Sequence, residues 1–175
     1  MNSPAAALKI GVKRRTGRHV PCPWEDGMME GRGAFVCRTR VRYGETDKMG
    51  IAYYGRYMDW FEMGRTEFCR AQGRSFTGWE AQGILLPVVE VHCRYKASLR
   101  YDDEIEIETA VAELSKVSVT FRCRVFRAAD GKLAAEGYTR HAFTSTDGRL
   151  LRHGNALADW LGAMTAGAGA CRMPE

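Results

Sequence analysis

A single apolar stripe at helical spacing, followed by four segments that alternate with period two, leaves this chain few folds to choose from. Between residues 56 and 72, Tyr57, Phe61, Gly64, Phe68 and Ala71 are spaced 4, 3, 4 and 3 apart, as on one face of an α-helix. Trp60 and Met63 widen that face, so the helix is expected to be deeply packed. Gly64 costs roughly 1 kcal/mol of helix propensity, which close approach to a sheet would offset. Gly73 is a suitable stop, because glycine accepts the left-handed conformation that ends many helices.

The segments around this helix read as strands. Residues 34–42 alternate loosely. In 88–97, Val89, Val91, Cys93, Tyr95 and Ala97 oppose Glu90, His92, Arg94 and Lys96. Ile105, Ile107 and Val111 oppose Glu104, Glu106 and Glu108, and Val117, Val119, Phe121, Cys123 and Val125 share the next face. Asp130-Gly131 marks a tight turn into a strand over 132–145, which Asp147-Gly148 closes. Ala156–Met164 reads as a short helix. One apolar helix face needs one apolar sheet face, and the opposite sheet face is charged. The expected architecture is therefore α+β, a curved five-stranded antiparallel sheet around one long central helix. That domain spans 34–164, between a basic flexible extension (1–33) and a flexible Gly/Ala-rich tail (165–175).

Charge and composition remove several function classes. The net charge of +5 is matched by Lys9, Lys13, Arg14, Arg15 and Arg18, which stand in the first 20 residues without an acid. Lacking interleaved aromatics, that tail is read as a solvated extension and not as a nucleic-acid partner surface. No apolar run approaches the roughly 20 residues needed to cross a bilayer, and no apolar leader core precedes a cleavage site, so a cytoplasmic protein is expected. The six cysteines and four histidines are scattered without zinc spacing. Reduced thiols, no metal and no cofactor follow as expectations. No Gly-x-Ser-x-Gly elbow, P-loop or His-Glu-x-x-His motif occurs.

Chemistry concentrates in Tyr43–Gly55, which reads Tyr-Gly-Glu-Thr-Asp-Lys-Met-Gly-Ile-Ala-Tyr-Tyr-Gly. Asp47 is the candidate catalytic carboxylate. Glycines at 44, 50 and 55 let the backbone turn sharply and approach a ligand. About eight residues after Asp47 the helix begins, and helix starts offer unpaired N–H groups to a developing oxyanion. Tyr43, Gly50, Ile51 and Gly55 are the candidate substrate contacts. Elsewhere, Glu62 and Arg65 are expected to pair along the helix, and His141 to face inward as a satisfied core histidine.

The stretch Val41-Arg42-Tyr43-Gly44-Glu45-Thr46-Asp47-Lys48-Met49-Gly50-Ile51-Ala52-Tyr53-Tyr54, continuing through Tyr57, Phe61-Glu62 and Arg65-Thr66-Glu67, resembles the hotdog-fold acyl-CoA thioesterases. It is most similar to the 4-hydroxybenzoyl-CoA thioesterase family with its Tol-Pal-associated branch, over roughly residues 34–160. The resemblance implies hydrolysis of acyl-CoA thioesters, with Asp47 as nucleophile or general base. It also implies that the backbone N–H at Tyr54 polarises the carbonyl, and that the chain assembles as a homodimer or homotetramer. Many members of the Tol-Pal branch carry histidine at the Tyr54 position, and many relatives carry asparagine where Arg56 stands. The competing reading is a non-catalytic acyl-thioester-binding module of the same fold.

Overall fold

The alternating segments pair into one sheet with two unlike faces. The computed structural model describes residues 34–152. In chain order they form β1 (Phe35–Arg40), a 3-10 turn (Tyr43–Glu45), α1 (Arg56–Ala71), α2 (Phe76–Glu80), β2 (Val88–Tyr95), β3 (Glu104–Leu114), β4 (Ser118–Arg127) and β5 (Lys132–Ala142). The five strands make one sheet in the order β1-β3-β4-β5-β2, every pairing antiparallel. The helix expected at Ala156–Met164 and both flanking extensions lie outside the described residues.

On the inner face, Ile105, Ile107, Val119, Phe121, Cys123 and Val125 are fully buried. Their outward neighbours pair across strands. Arg38 reaches Glu106 at 2.6 Å, and Arg124 reaches Glu108 at 2.6 Å, each pair being in direct register. The Arg38 pair is exposed and contributes little stability, the Arg124 pair is half-buried, and both lie on the face that meets water.

Helix α1 lies across the inner face and divides the core in two. Its first half brings Tyr57, Trp60 and Phe61 onto Ile105, Ile107 and Val125. Its second half brings Phe68 and Cys69 onto Val119, Phe121 and Phe143. Gly64 sits where helix and sheet come closest: a Cβ there would lie 2.4 Å from Thr109 Oγ1 and 2.7 Å from Ile107 Cγ2. The expected compensation for a glycine in this helix is thus observed. At the other end, Gly73 takes φ +72°. Its N–H bonds the Arg70 carbonyl while that of Arg74 bonds Cys69, a Schellman stop.

Two features depart from the simple pattern. Strand β2 forms where expected but its burial does not alternate: Val89 and Val91 remain 58% and 44% exposed, because β2 is an edge strand and its register shifts between Val88 and Glu90. Helix α2 went unread in the sequence. Ser75 caps it by accepting the Gly78 N–H, Trp79 is buried in the second core cluster, and the Arg65 guanidinium lies 4.4 Å over the Phe76 ring. Arg65 makes this aromatic contact in place of the expected ion pair with Glu62.

Candidate active site

The loop between β1 and α1 is fastened at both ends. The Glu45 side chain is buried, and its two oxygens accept the Arg42 N–H at 2.7 Å and the Arg42 guanidinium at 2.9 Å. Burial alone would push this carboxyl up; the Arg42 bonds outweigh it and hold the group below its ordinary value. The Glu45 carbonyl accepts the Tyr53 N–H at 2.8 Å, which closes the loop, and the Ala52 N–H reaches the Leu99 carbonyl at 2.8 Å. Within this frame the Asp47 N–H donates to the Ile51 carbonyl at 2.9 Å.

Asp47 is half-buried, and its carboxylate is oriented by the loop itself. Oδ1 accepts the Met49 N–H at 2.8 Å, as acidic residues do in turns. Oδ2 has no hydrogen bond among the described residues, so one oxygen is anchored while the other is available. Gly50 completes the turn with φ +71°, and its N–H bonds the Asp47 carbonyl.

Helix α1 begins without a side-chain cap. Its N-cap is Gly55, a position that more often carries Ser, Thr, Asp or Asn to satisfy the first N–H groups. A Cβ at Gly55 would lie 2.9 Å from the Tyr53 ring, so any side chain here would have to displace that ring. Around the tip, the Tyr53 carbonyl accepts the Arg56 N–H at 2.9 Å, and the Tyr54 carbonyl accepts the Tyr95 hydroxyl at 3.0 Å. The Tyr54 N–H donates no hydrogen bond among the described residues. An unpaired amide one residue before the N-cap, beside the partial positive charge of a helix start, is a ready seat for an anion.

Beside that amide is a cavity of about 250 Å³. Its wall is formed by Ile51, Ala52 and Tyr54 from the loop, Tyr57 from α1, and residues 95–98 at the end of β2. Burial pushes the Tyr57 phenol up to about 12; burial, with the neighbouring Cys93, does the same to Tyr95. Both hydroxyls therefore stay protonated near neutrality.

Of the residues singled out in the sequence, Ile51 and Tyr54 line this cavity. Asp47 is bonded to Ile51 through the main chain but is not itself part of the wall. Gly50 and Gly55 flank the wall residues. Tyr43 is 79% exposed and packs edge-on against Tyr101, with ring centroids 5.6 Å apart. Arg56 turns along the helix to Asp59 at 3.0 Å and does not line the cavity. His141 is fully buried with both ring nitrogens partnered. Among the described residues no three His, Cys, Asp or Glu side chains converge as a metal site.

Tyr57 and Tyr95 were not read as site residues. Tyr57 belongs to the apolar helix stripe, and Tyr95 stands about forty residues from the loop. The one available signal was an aromatic at the end of a strand whose same-side members are Val89, Val91 and Cys93.

Known proteins place this geometry in a family. Residues 41–175 match the thioesterase-like superfamily. A DHNA-CoA thioesterase of Staphylococcus aureus superposes with a TM-score of 0.70 at 30% identity, covering 76% of this chain and 89% of that one. The acyl-CoA thioesterase YbgC of Haemophilus influenzae is 33% identical over 94 residues, 53% of this chain and 69% of its own. The 4-hydroxybenzoyl-CoA thioesterase of Pseudomonas sp. (strain CBS-3) is 25% identical over 134 residues, 73% of this chain and 95% of its own. The chain belongs to the thioesterase-like superfamily and carries its hotdog fold.

Proposed function

We propose that this hotdog thioesterase hydrolyses acyl-CoA thioesters to free acid and CoA, using Asp47 and the Tyr54 amide on one carbonyl. The observation that carries the reading is the unpartnered Tyr54 N–H, at an uncapped helix tip and in a cavity wall, on the loop that carries Asp47. In this reading the thioester oxygen takes the hydrogen bond that the Tyr54 amide otherwise lacks. Charge that develops on that oxygen is then stabilised by a fixed donor, worth ~3 kcal/mol in enzymes where one such donor has been removed. Asp47 Oδ2 either attacks the carbonyl carbon, expelling CoA thiolate and leaving a mixed anhydride for water to hydrolyse, or accepts a proton from the attacking water. No metal or organic cofactor enters either route.

The proposed assembly is a homodimer or homotetramer. Strand β2 supports it, for its edge exposes Val88, Val89 and Val91 beside main-chain groups that pair on one side only. The proposed compartment is the cytoplasm, which suits the free thiols of Cys37, Cys69, Cys93 and Cys123.

The test is CoA release from benzoyl-, butyryl- and palmitoyl-CoA by the wild-type protein and Asp47→Asn. We expect turnover by the wild type and a loss on the order of a hundredfold or more in kcat for the variant. Full activity in Asp47→Asn would remove the carboxylate from the mechanism. Absence of turnover on every ester by the wild type would favour a binding module.

A further inference from the structure

The main chain at the helix tip is held from three sides. The Tyr53 N–H is bound by the Glu45 carbonyl and the Tyr53 carbonyl by the Arg56 N–H, which together orient the peptide that carries the Tyr54 amide. The next peptide, from Tyr54 to Gly55, has no main-chain partner for its carbonyl among the described residues. Its restraint is the Tyr95 hydroxyl, at 3.0 Å. Tyr95 comes from the last position of β2, on a strand that contributes nothing else to the loop's hydrogen bonding. Its ring meets Tyr57 edge-on at 5.0 Å, and Tyr57 in turn meets Trp60 at 4.7 Å, so the hydroxyl is delivered by a packed aromatic row.

We propose that Tyr95 is a positioning residue for thioester hydrolysis: its hydroxyl holds the Tyr54–Gly55 peptide, the link between the Tyr54 amide and the start of α1, and so keeps the donor in place against the cavity. The inference rests on the reading of that amide as the oxyanion donor. Two physical effects follow from the one bond. Gly55 lacks a side chain that would restrict its own φ and ψ, so without the hydroxyl the peptide beside the donor is held only indirectly, by the Arg56–Tyr53 and Met58–Gly55 bonds on either side of it. Tyr54 lines the cavity, so in this reading its carbonyl dipole would also repel negative charge developing on an oxygen bound to its own N–H. A hydroxyl donating to it offsets that repulsion. Both effects act on the transition state more than on the bound ester, because the charge is developed only there. They are also separable from stability, since Tyr95 is 46% exposed at a sheet edge.

Tyr95→Phe tests this, since it removes the hydroxyl and keeps the ring against Tyr57. It is measured beside Asp47→Asn on the acyl-CoA that the wild type turns over fastest, together with thermal unfolding, light scattering and the inhibition constant of CoA, which lacks the thioester carbonyl. The expected result is a fall in kcat of about tenfold, with KM, the CoA inhibition constant, oligomeric state and Tm essentially unchanged. A kcat within about twofold of wild type would overturn the proposal. So would a loss of kcat matched by an equal weakening of CoA inhibition or by a lowered Tm, which would mark Tyr95 as merely structural. If Asp47→Asn stays fully active, the catalytic reading of Asp47 fails on its own, whatever Tyr95→Phe shows.

Discussion

His141 shows how a buried titratable group here serves stability and not chemistry. Its Nδ1 faces the Leu86 carbonyl at 3.0 Å and its Nε2 the Thr139 hydroxyl at 2.9 Å. A carbonyl only accepts, so Nδ1 carries the proton and Nε2 accepts from Thr139. Burial, and then the nearby Arg65 charge, push its pKa down to about 4. Between about 6.5 and 4 the unfolded imidazole binds a proton that the folded one refuses. Stability should therefore fall as pH drops through that window, by roughly 1.4 kcal/mol per pH unit from this group. Urea unfolding at several pH values would show it, and His141→Phe should flatten the slope; an equal slope in both proteins would contradict it. The inward placement of His141 was legible because it continues the alternation of Leu133 and Ala135. Asp47, Ile51 and Tyr54 were legible because one short loop carries them all. Tyr95 was not, because no local pattern reports a hydrogen bond made 41 residues away.

Among elements, α1 does the most for both core and site, and its two glycines act in opposite ways. Gly55 leaves the helix tip without a side-chain cap, beside the unpartnered Tyr54 amide. Gly64 lets the same helix descend onto Thr109 and Ile107. Gly64→Ala would gain roughly 1 kcal/mol in helix propensity but places a methyl group 2.4 Å from Thr109 Oγ1. Overpacking of this kind costs about 1–3 kcal/mol, so a lowered Tm is expected in differential scanning calorimetry. A raised Tm would mean that the sheet yields more easily than its packing implies. Helix α1 and its stop were legible from spacing and from Gly73. Helix α2 was not, because five residues are too few to display a period, and its Ser75 cap is a weak signal alone.

At the scale of the whole molecule, the sheet's outer face and its β2 edge carry different messages. The outer face is covered by cross-strand ion pairs and is complete in water. The β2 edge leaves Val88, Val89 and Val91 exposed, which fits an interface between subunits. Light scattering should return a dimer or tetramer, and Val91→Lys should shift it toward smaller species and lower activity. A strictly monomeric, fully active wild type would contradict this assembly. Fold class was readable because one apolar helix face and one apolar sheet face permit few arrangements. The exposure of β2 was not, because alternation reveals which residues share a face but not how far along the sheet the helix reaches.

The most direct test of the central claim is a crystal structure of Asp47→Asn with an unhydrolysed acyl-CoA. The account predicts the thioester oxygen at ~3 Å from the Tyr54 amide nitrogen, with the residue 47 side chain facing the carbonyl carbon. A thioester bound with its carbonyl away from the tip of α1 would contradict it.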